Sequence, residues 1–472
     1  MVALSVGEKR EFGALSSMLA KTVGVVSLVA ILASCGTSPG YSYTVGVTVD
    51  GLVGSGLVLQ NNGGDDRSIS ANGAFSFATP LTDGAAYNIT VKTQPTNPAQ
   101  SCRVVSNGTG TITSAPVGNV VVSCMTSPTS IAFSVEPGNE FAYVVNEDST
   151  ILTYLIDLFN GGFTQTGTAT AGTFPTSIAV DPSGQFAYVA NTTDGTISTY
   201  TIDSSTGELN STCGISPLCP STGKYPTAVT VDPSGQFVYV ANMGDNTISA
   251  YTIGSGGALT AIGSPVSTGI SPISIVTVSV GSLEFVYVAN MGDGSIWAYR
   301  INLTLTTTTP LGILQSLGTV PAGTSPVSIT VDPSRQFAYV ANEGSNSISI
   351  YTISTTDGTL AASTTPTVTV GNNPTSVVTV SLGSLGEFAY VTNTSDSTIS
   401  AYSIGSTGAL TAIGGSPFTA YPTGTGTSAY PTTITIDPSK QFAYVINAGD
   451  SSIWAYPIDQ STGALEKPSQ VK

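Results

Sequence analysis

From Pro128 to the C-terminus, one alternation of apolar and polar positions recurs seven times. Each unit opens at a proline (Pro128, Pro175, Pro226, Pro272, Pro326, Pro374, Pro431) that leads a run of Thr, Ser, Ile and Val. An aromatic run follows, opened by Phe141, Phe186, Phe237, Phe285, Phe337, Phe388 and Phe442, with a tyrosine two residues on. The tyrosines, from Tyr143 to Tyr444, recur at intervals of 45 to 54 residues. Three residues after each stands an asparagine: Asn146, Asn191, Asn242, Asn290, Asn342, Asn393 and Asn447. A further run then carries Ile-x-x-Tyr, from Ile151 and Tyr154 to Ile453 and Tyr456. Strict alternation over short runs bounded by turn residues predicts β-strands.

Each unit therefore predicts an inner strand, a turn, the aromatic strand, an Asn-centred turn, a third strand and a Thr-Gly-Ala/Glu-Leu outer strand. In four units the first turn is Asp-Pro-Ser, at Asp181, Asp232, Asp332 and Asp437. Units four and six carry Val278-Ser279-Val280-Gly281 and Val380-Ser381-Leu382-Gly383 instead. Four antiparallel strands at this period make a propeller blade. One blade cannot bury both of its faces, whereas seven packed radially can. Phe and Tyr on one face with Ala and Val on the other suit such packing.

The copies Tyr390-Val391-Thr392-Asn393 and Tyr188-Val189-Ala190-Asn191 resemble the YVTN-type seven-bladed propellers, which overlap in sequence with the lactonase-type propellers. The resemblance spans Pro128 to Lys472 and implies the fold. It also implies a histidine, an arginine and an acid near the central tunnel. The chain contains no histidine, so no catalytic residue carries over. The usual general base, the Ser-His-Asp triad and most transition-metal sites go with it.

Ahead of the ring, residues 36–127 read as short strands with turn punctuation. Alternation in Phe75 and Phe77 and in Tyr87, Ile89 and Val91 predicts one buried face, as in a small immunoglobulin-like β-sandwich. The whole chain is thus expected to be all-β, a sandwich followed by the seven-bladed propeller at 128–472. Residues 1–35 read as an export signal: Lys21 precedes the apolar run Val23 to Ala33, which ends in Leu32-Ala33-Ser34-Cys35. Small residues before a cysteine resemble a lipobox, implying lipidation at Cys35. Gly36 after it, in place of Asp, points to the outer membrane, and Met18 would give a signal of ordinary length. The four remaining cysteines are an even number in an oxidising compartment. Sequence distance favours Cys102–Cys124 and Cys213–Cys219.

Charge changes the picture in one respect. The chain has 12 basic and 28 acidic residues, a net charge of −16. Such a surface repels nucleic acid, which is bound through Lys and Arg. The acids lie mainly in the Asn-x-x-Asp turns: Asp148 in a shortened version, then Asp194, Asp245, Asp293, Asp396 and Asp450. Repetition predicts that they shape hairpins through their own backbone. No Asp-x-Asp-x-Asp-Gly loop or Cys/His spacing supports a metal, and no cofactor is expected. These turns share a face with the two long loops before Pro226 and Pro431, which hold Lys224 and Tyr225 and then Tyr421 and Tyr430. Long loops on a rigid ring commonly carry binding. This reading predicts a non-catalytic envelope protein that presents an acidic ring face to a protein or small cationic ligand, anchored to the membrane by its lipid. A lactonase-like hydrolase using carboxylates is the alternative.

Overall fold

The computed structural model describes residues 41–471 apart from 51, 53–54, 94, 96–100, 126–127, 137–138, 215–218, 306–309, 421–428 and 450. Cys35, Tyr421 and Asp450 therefore lie outside the described residues. Seven antiparallel sheets follow one another along the chain, each ordered from inner to outer strand. The inner strands are Pro128–Glu136, Pro175–Val180, Pro226–Val231, Pro272–Val280, Pro326–Val331, Pro374–Ser381 and Pro431–Ile436. In blades 3 and 6 the outer strand is split, so that Val266–Ser267 and Phe418–Thr419 pair separately with the third strand. The outer strand of blade 7, Ser469–Gln470, comes from the same terminus as the rest of that blade.

The aromatic strand is the most deeply buried, with every residue from Phe237 to Asn242 inaccessible. Its two faces serve different neighbours because successive side chains point to opposite sides. Phe237, Tyr239 and Ala241 pack onto Val286, Val288 and Tyr299 of the next blade. Phe285, Tyr287 and Ala289 repeat this against Ala338, Val340 and Tyr351. The inner strands are joined through hydroxyls. Ser177, Ser274, Ser328 and Ser376 each accept, through Oγ, the backbone N–H of Val229, Ile329, Val377 and Ile434 in the following blade, at 3.2–3.3 Å.

A second fastening lies at the aromatic strand. From blade 2 to blade 7 the tyrosine hydroxyl donates to the carbonyl of a glycine in the next blade's turn between third and outer strands, for instance Tyr239 to Gly312, Tyr287 to Gly358 and Tyr390 to Gly463, all at 2.8 Å. Beneath the same glycine sits the preceding blade's phenylalanine. A Cβ on Gly358 would lie 2.2 Å from the ring of Phe285, and its φ of +73° already disfavours an L side chain. Gly358→Ala should therefore cost about 1–3 kcal/mol through overpacking in addition to backbone strain. Gly256 has a similar φ of +72° with nothing near its missing Cβ, so Gly256→Ala isolates the strain. Equal losses for both variants in urea unfolding would show that the ring contact contributes nothing.

Residues ahead of the propeller form two four-stranded sheets around a shared core of Val45, Val47, Leu57, Leu59, Ile89, Val120 and Val122. Val45–Asp50 runs parallel to Val117–Met125 and antiparallel to Gly73–Ser76. That strand order does not by itself identify the pair of sheets as immunoglobulin-like. Cys102 is disulfide-bonded, and the backbone register sets Cys124 directly opposite it.

Candidate active site

Strand direction decides which residues share a face. The turns between second and third strands open on the same side as the loops that lead into each inner strand. The Asn-x-x-Asp residues bond within their own hairpins, as Asn191 does to Thr196 and Ser198 and Asp293 does to Ser295, and also act across that face. Asn191 and Asn242, both fully buried, accept the backbone N–H of Gly172 and Gly223 through Oδ1 at 3.0 and 3.1 Å. Asp194, Asp245, Asp293 and Asp396 accept the N–H of Thr173, Lys224, Ile270 and Asn372 through Oδ2 at 2.6–2.9 Å. Each pair thus clamps the loop leading into its own blade. Asp148 alone stays wholly within its turn, accepting the N–H and hydroxyl of Thr150. The local hairpin bonds expected from the sequence are present, and the bonds to the lead-in loops add to them. A turn carboxylate can reach a neighbouring loop because the lead-in segment passes directly over the turn.

In blades 2 to 7 the lead-in residue before the inner-strand proline is left-handed: Phe174, Tyr225, Ser271, Ser325, Asn373 and Tyr430 have φ between 49° and 57°. Such a conformation costs energy for a bulky residue, and a following proline restricts it further. Six repetitions mark it as a requirement of the ring, met by the backbone bonds that hold each segment down. In blade 3, for instance, the N–H groups of Met243 and Gly244 donate to the carbonyls of Tyr225 and Lys224. The Tyr225 ring lies over Gly244, where a Cβ would meet Cδ2 at 2.6 Å.

Between blades 2 and 3 this face opens into a cleft of about 360 Å³, lined by Thr193, Asp194, Gly195, Thr222, Gly223, Lys224, Tyr225 and Asp245. Four of the residues singled out from sequence, Asp194, Lys224, Tyr225 and Asp245, meet here. Tyr225 is 53% exposed and Lys224 is also open to solvent. Lys224 is the sole Lys or Arg on this face among the described residues. The others in the described propeller, Arg300, Arg335, Lys440 and Lys467, lie toward the opposite side. Arg335, for instance, donates from its guanidinium to the Ser279 carbonyl at 3.2 Å. The Cys213–Cys219 disulfide closes part of the loop that carries Lys224. Thr193, Thr222 and the two glycines were not foreseen, because the cleft arises from the meeting of two blades. Asp148, Asp293, Asp396 and Tyr430 belong to other blades and stay outside it.

Nothing comparable lies on the inner strands. Apart from Glu136, no charged residue occurs in any of the seven. The arginine and acid that the family resemblance implies near the tunnel have no counterpart on the other six inner strands. Among the described residues, no three His, Cys, Asp or Glu side chains converge to hold a metal ion.

The family described as lactonase, 7-bladed beta-propeller, matches residues 100–216 and 222–472. Among characterised relatives, a 6-phosphogluconolactonase of Pectobacterium carotovorum is 27% identical over 306 residues, 61% of this chain and 82% of the relative. A 6-phosphogluconolactonase of Pectobacterium atrosepticum is 24% identical over 341 residues, 71% of this chain and 82% of that one. In structure, the Pseudomonas aeruginosa periplasmic gluconolactonase PpgL superposes with a TM-score of 0.56 at 17% identity, covering 68% of this chain and 92% of its own. That likeness concerns the fold. The expectation of a non-catalytic display ring is overturned by these findings, which favour the hydrolase alternative. Absence of histidine weighed too heavily in that expectation, since ester chemistry can also be run by carboxylates and an ammonium group.

Proposed function

Because the chain belongs to the seven-bladed β-propeller lactonase family, we propose that it is a histidine-free hydrolase that opens sugar-acid lactones in the cleft between blades 2 and 3. The observation that carries this reading is the meeting of one cation with two carboxylates in that cleft, beside an exposed tyrosine. Asp194 and Asp245 each use Oδ2 on a backbone N–H, which fixes the carboxyl group, and Oδ1 is the oxygen we assign to the attacking water. In the reaction, one carboxylate takes a proton from water as the water oxygen bonds to the lactone carbonyl carbon. Lys224 stabilises the negative oxygen that develops. Collapse of that intermediate breaks the bond to the ring oxygen, which takes up the proton and becomes the hydroxyl of the open acid. Tyr225 offers an aromatic surface to the less polar face of the sugar ring. The products balance as lactone plus water giving one hydroxy acid.

Charge selects among such substrates. Two aspartates against one lysine repel a phosphate dianion, so an unphosphorylated aldonolactone should be opened more efficiently than its phosphate ester. Following acid release from glucono-δ-lactone and its 6-phosphate, corrected for spontaneous opening, tests both parts. No rate above the spontaneous one on any δ- or γ-lactone would sink the proposal.

We also propose that the ring is presented in the bacterial envelope on a lipid attached to Cys35, supported by Leu32-Ala33-Ser34-Cys35 after the apolar run. Cys35→Ser should release the protein from membranes into the soluble periplasmic fraction. If that variant still sediments with membranes, anchoring depends on something else.

A further inference from the structure

The position just before each aromatic-strand phenylalanine alternates between two side chains of nearly equal shape. It is Gln185, Gln236, Gln336 and Gln441 in blades 2, 3, 5 and 7, but Glu140, Glu284 and Glu387 in blades 1, 4 and 6. The glutamates occur only in blades without an Asp-Pro-Ser turn of their own. Each stands beside the Asp-Pro-Ser aspartate of the blade before: Glu284 beside Asp232, Glu387 beside Asp332, and, across the closure of the ring, Glu140 beside Asp437. Where an Asp-Pro-Ser blade is followed by another, as blade 2 is by blade 3, the equivalent position of the following blade holds the neutral Gln236.

Two of these pairs are buried, and in the third Glu387 is half-buried. Asp232, Asp332 and Asp437 are at most 2% exposed, Glu140 7% and Glu284 8%. The aspartates are saturated with donors. Asp232 accepts the N–H of Gln236 and Phe237 on Oδ1, and the N–H and hydroxyl of Ser234 on Oδ2. Asp332 and Asp437 likewise accept the serine of their own turn and the N–H of Phe337 and Phe442. These carboxylates are therefore already engaged by donors, and at Asp437 burial still pushes the carboxyl up. Oε2 of Glu140 and of Glu284 has no hydrogen-bond partner. A second ionised carboxylate there would be desolvated and face a like charge at once.

We propose that Glu140, Glu284 and Glu387 are held as neutral acids beside the aspartate of the preceding blade, Glu284 and Glu387 donating their proton to it, so that three of the seven blade seams are clasped at acidic to neutral pH and loosen as the pH rises. Burial and the facing aspartate push all three glutamates up to about 7. Tyr239, Tyr339 and Tyr444 lie beside the three pairs and are themselves pushed upward, Tyr444 also sensing Asp157, so none ionises in this range. Ser279 donates to Glu284, and the backbone N–H of Ser334 to Glu387, which only partly offsets the effect. The cations on these turns, Arg335 and Lys440, are solvent-exposed. Arg335 is engaged by the Ser279 carbonyl.

The sign follows from linkage. A folded-state value raised above the ordinary one gives stability that is complete below about 4.5 and lost as the pH climbs through about 7. Melting temperatures of the full chain between pH 4.5 and 8 test this against the triple variant Glu140→Gln, Glu284→Gln, Glu387→Gln. Gln already occupies the position in four blades, so the variant should fold. The wild type should lose several degrees relative to the triple variant across the window, and each single variant should remove part of that loss. Wild-type and triple-variant curves that run parallel would overturn the proposal. So would a wild-type loss above pH 7 that millimolar calcium fully restores, since the pairs would then hold a cation in place of a proton.

Discussion

Lys224→Ala should lower kcat/KM for aldonolactone opening by about two to three orders of magnitude, the usual effect of removing one oxyanion-stabilising group. The ring should stay folded. The side chain is exposed, and the part of residue 224 that the structure uses is its backbone: the N–H donates to Asp245 Oδ2 at 2.8 Å and the carbonyl accepts from Gly244 at 2.9 Å. Both bonds survive substitution by alanine. Lys224→Arg keeps the charge but spreads it over a planar group, so it should recover part of the rate. The proton acceptor is identified separately. Asp194→Asn and Asp245→Asn each keep an oxygen for the amide that the carboxylate now receives, while removing its basicity. The variant that has lost the base should fall about 100- to 10,000-fold, and the other much less. Full activity in Lys224→Ala and in both asparagine variants would place the reaction elsewhere on the ring.

The two halves of this picture were unequally legible in the sequence. The fold was written in coincident features that recur seven times, such as the Phe-x-Tyr pair and the asparagine three residues on. Their meaning is local: an alternating strand shows its pattern in any single blade. The seam contacts were less legible, because they join residues about 70 positions apart. Tyr287 and Gly358 reveal their pairing only when adjacent blades are side by side. The site was read least well. Lys224, Tyr225, Asp194 and Asp245 were named as members of an acidic binding face, but not as neighbours in one cleft. Asp194 and Lys224 belong to different blades, and nothing in a one-dimensional pattern states which turn abuts which loop. The alternation of Gln185 with Glu140 before the phenylalanines was visible throughout. It acquires meaning only beside the aspartate of the adjoining blade.

The seam between blades 7 and 1 is the one place where no short connection holds neighbouring blades together, so packing has to close the ring. It keeps the tyrosine-to-glycine fastening and adds a stack, although its inner strands meet over less of their length than those of the other seams. Tyr444 donates its hydroxyl to the Gly161 carbonyl at 3.0 Å, and a Cβ on Gly161 would lie 2.7 Å from the Phe442 ring. Phe163 stacks between Tyr154 and Tyr444, with ring centroids 5.1 and 4.9 Å away. Phe442 is 4% exposed and packs in one cluster with Ala142, Val144 and Ile156 of blade 1. Phe442→Ala should therefore cost about 3–5 kcal/mol, as for a fully buried phenylalanine, because the glycine turn above it cannot collapse into the space. Phe237→Ala removes the equivalent ring between blades 3 and 4, where the chain itself still links the two sheets. Both variants should lose similar equilibrium stability in urea, but unfolding should accelerate more in Phe442→Ala, since opening at the closure frees two blades at once. A loss below about 1 kcal/mol for Phe442→Ala would mean that this ring does not hold the closure. Equal unfolding rates for the two variants would mean that the ring opens at no preferred seam.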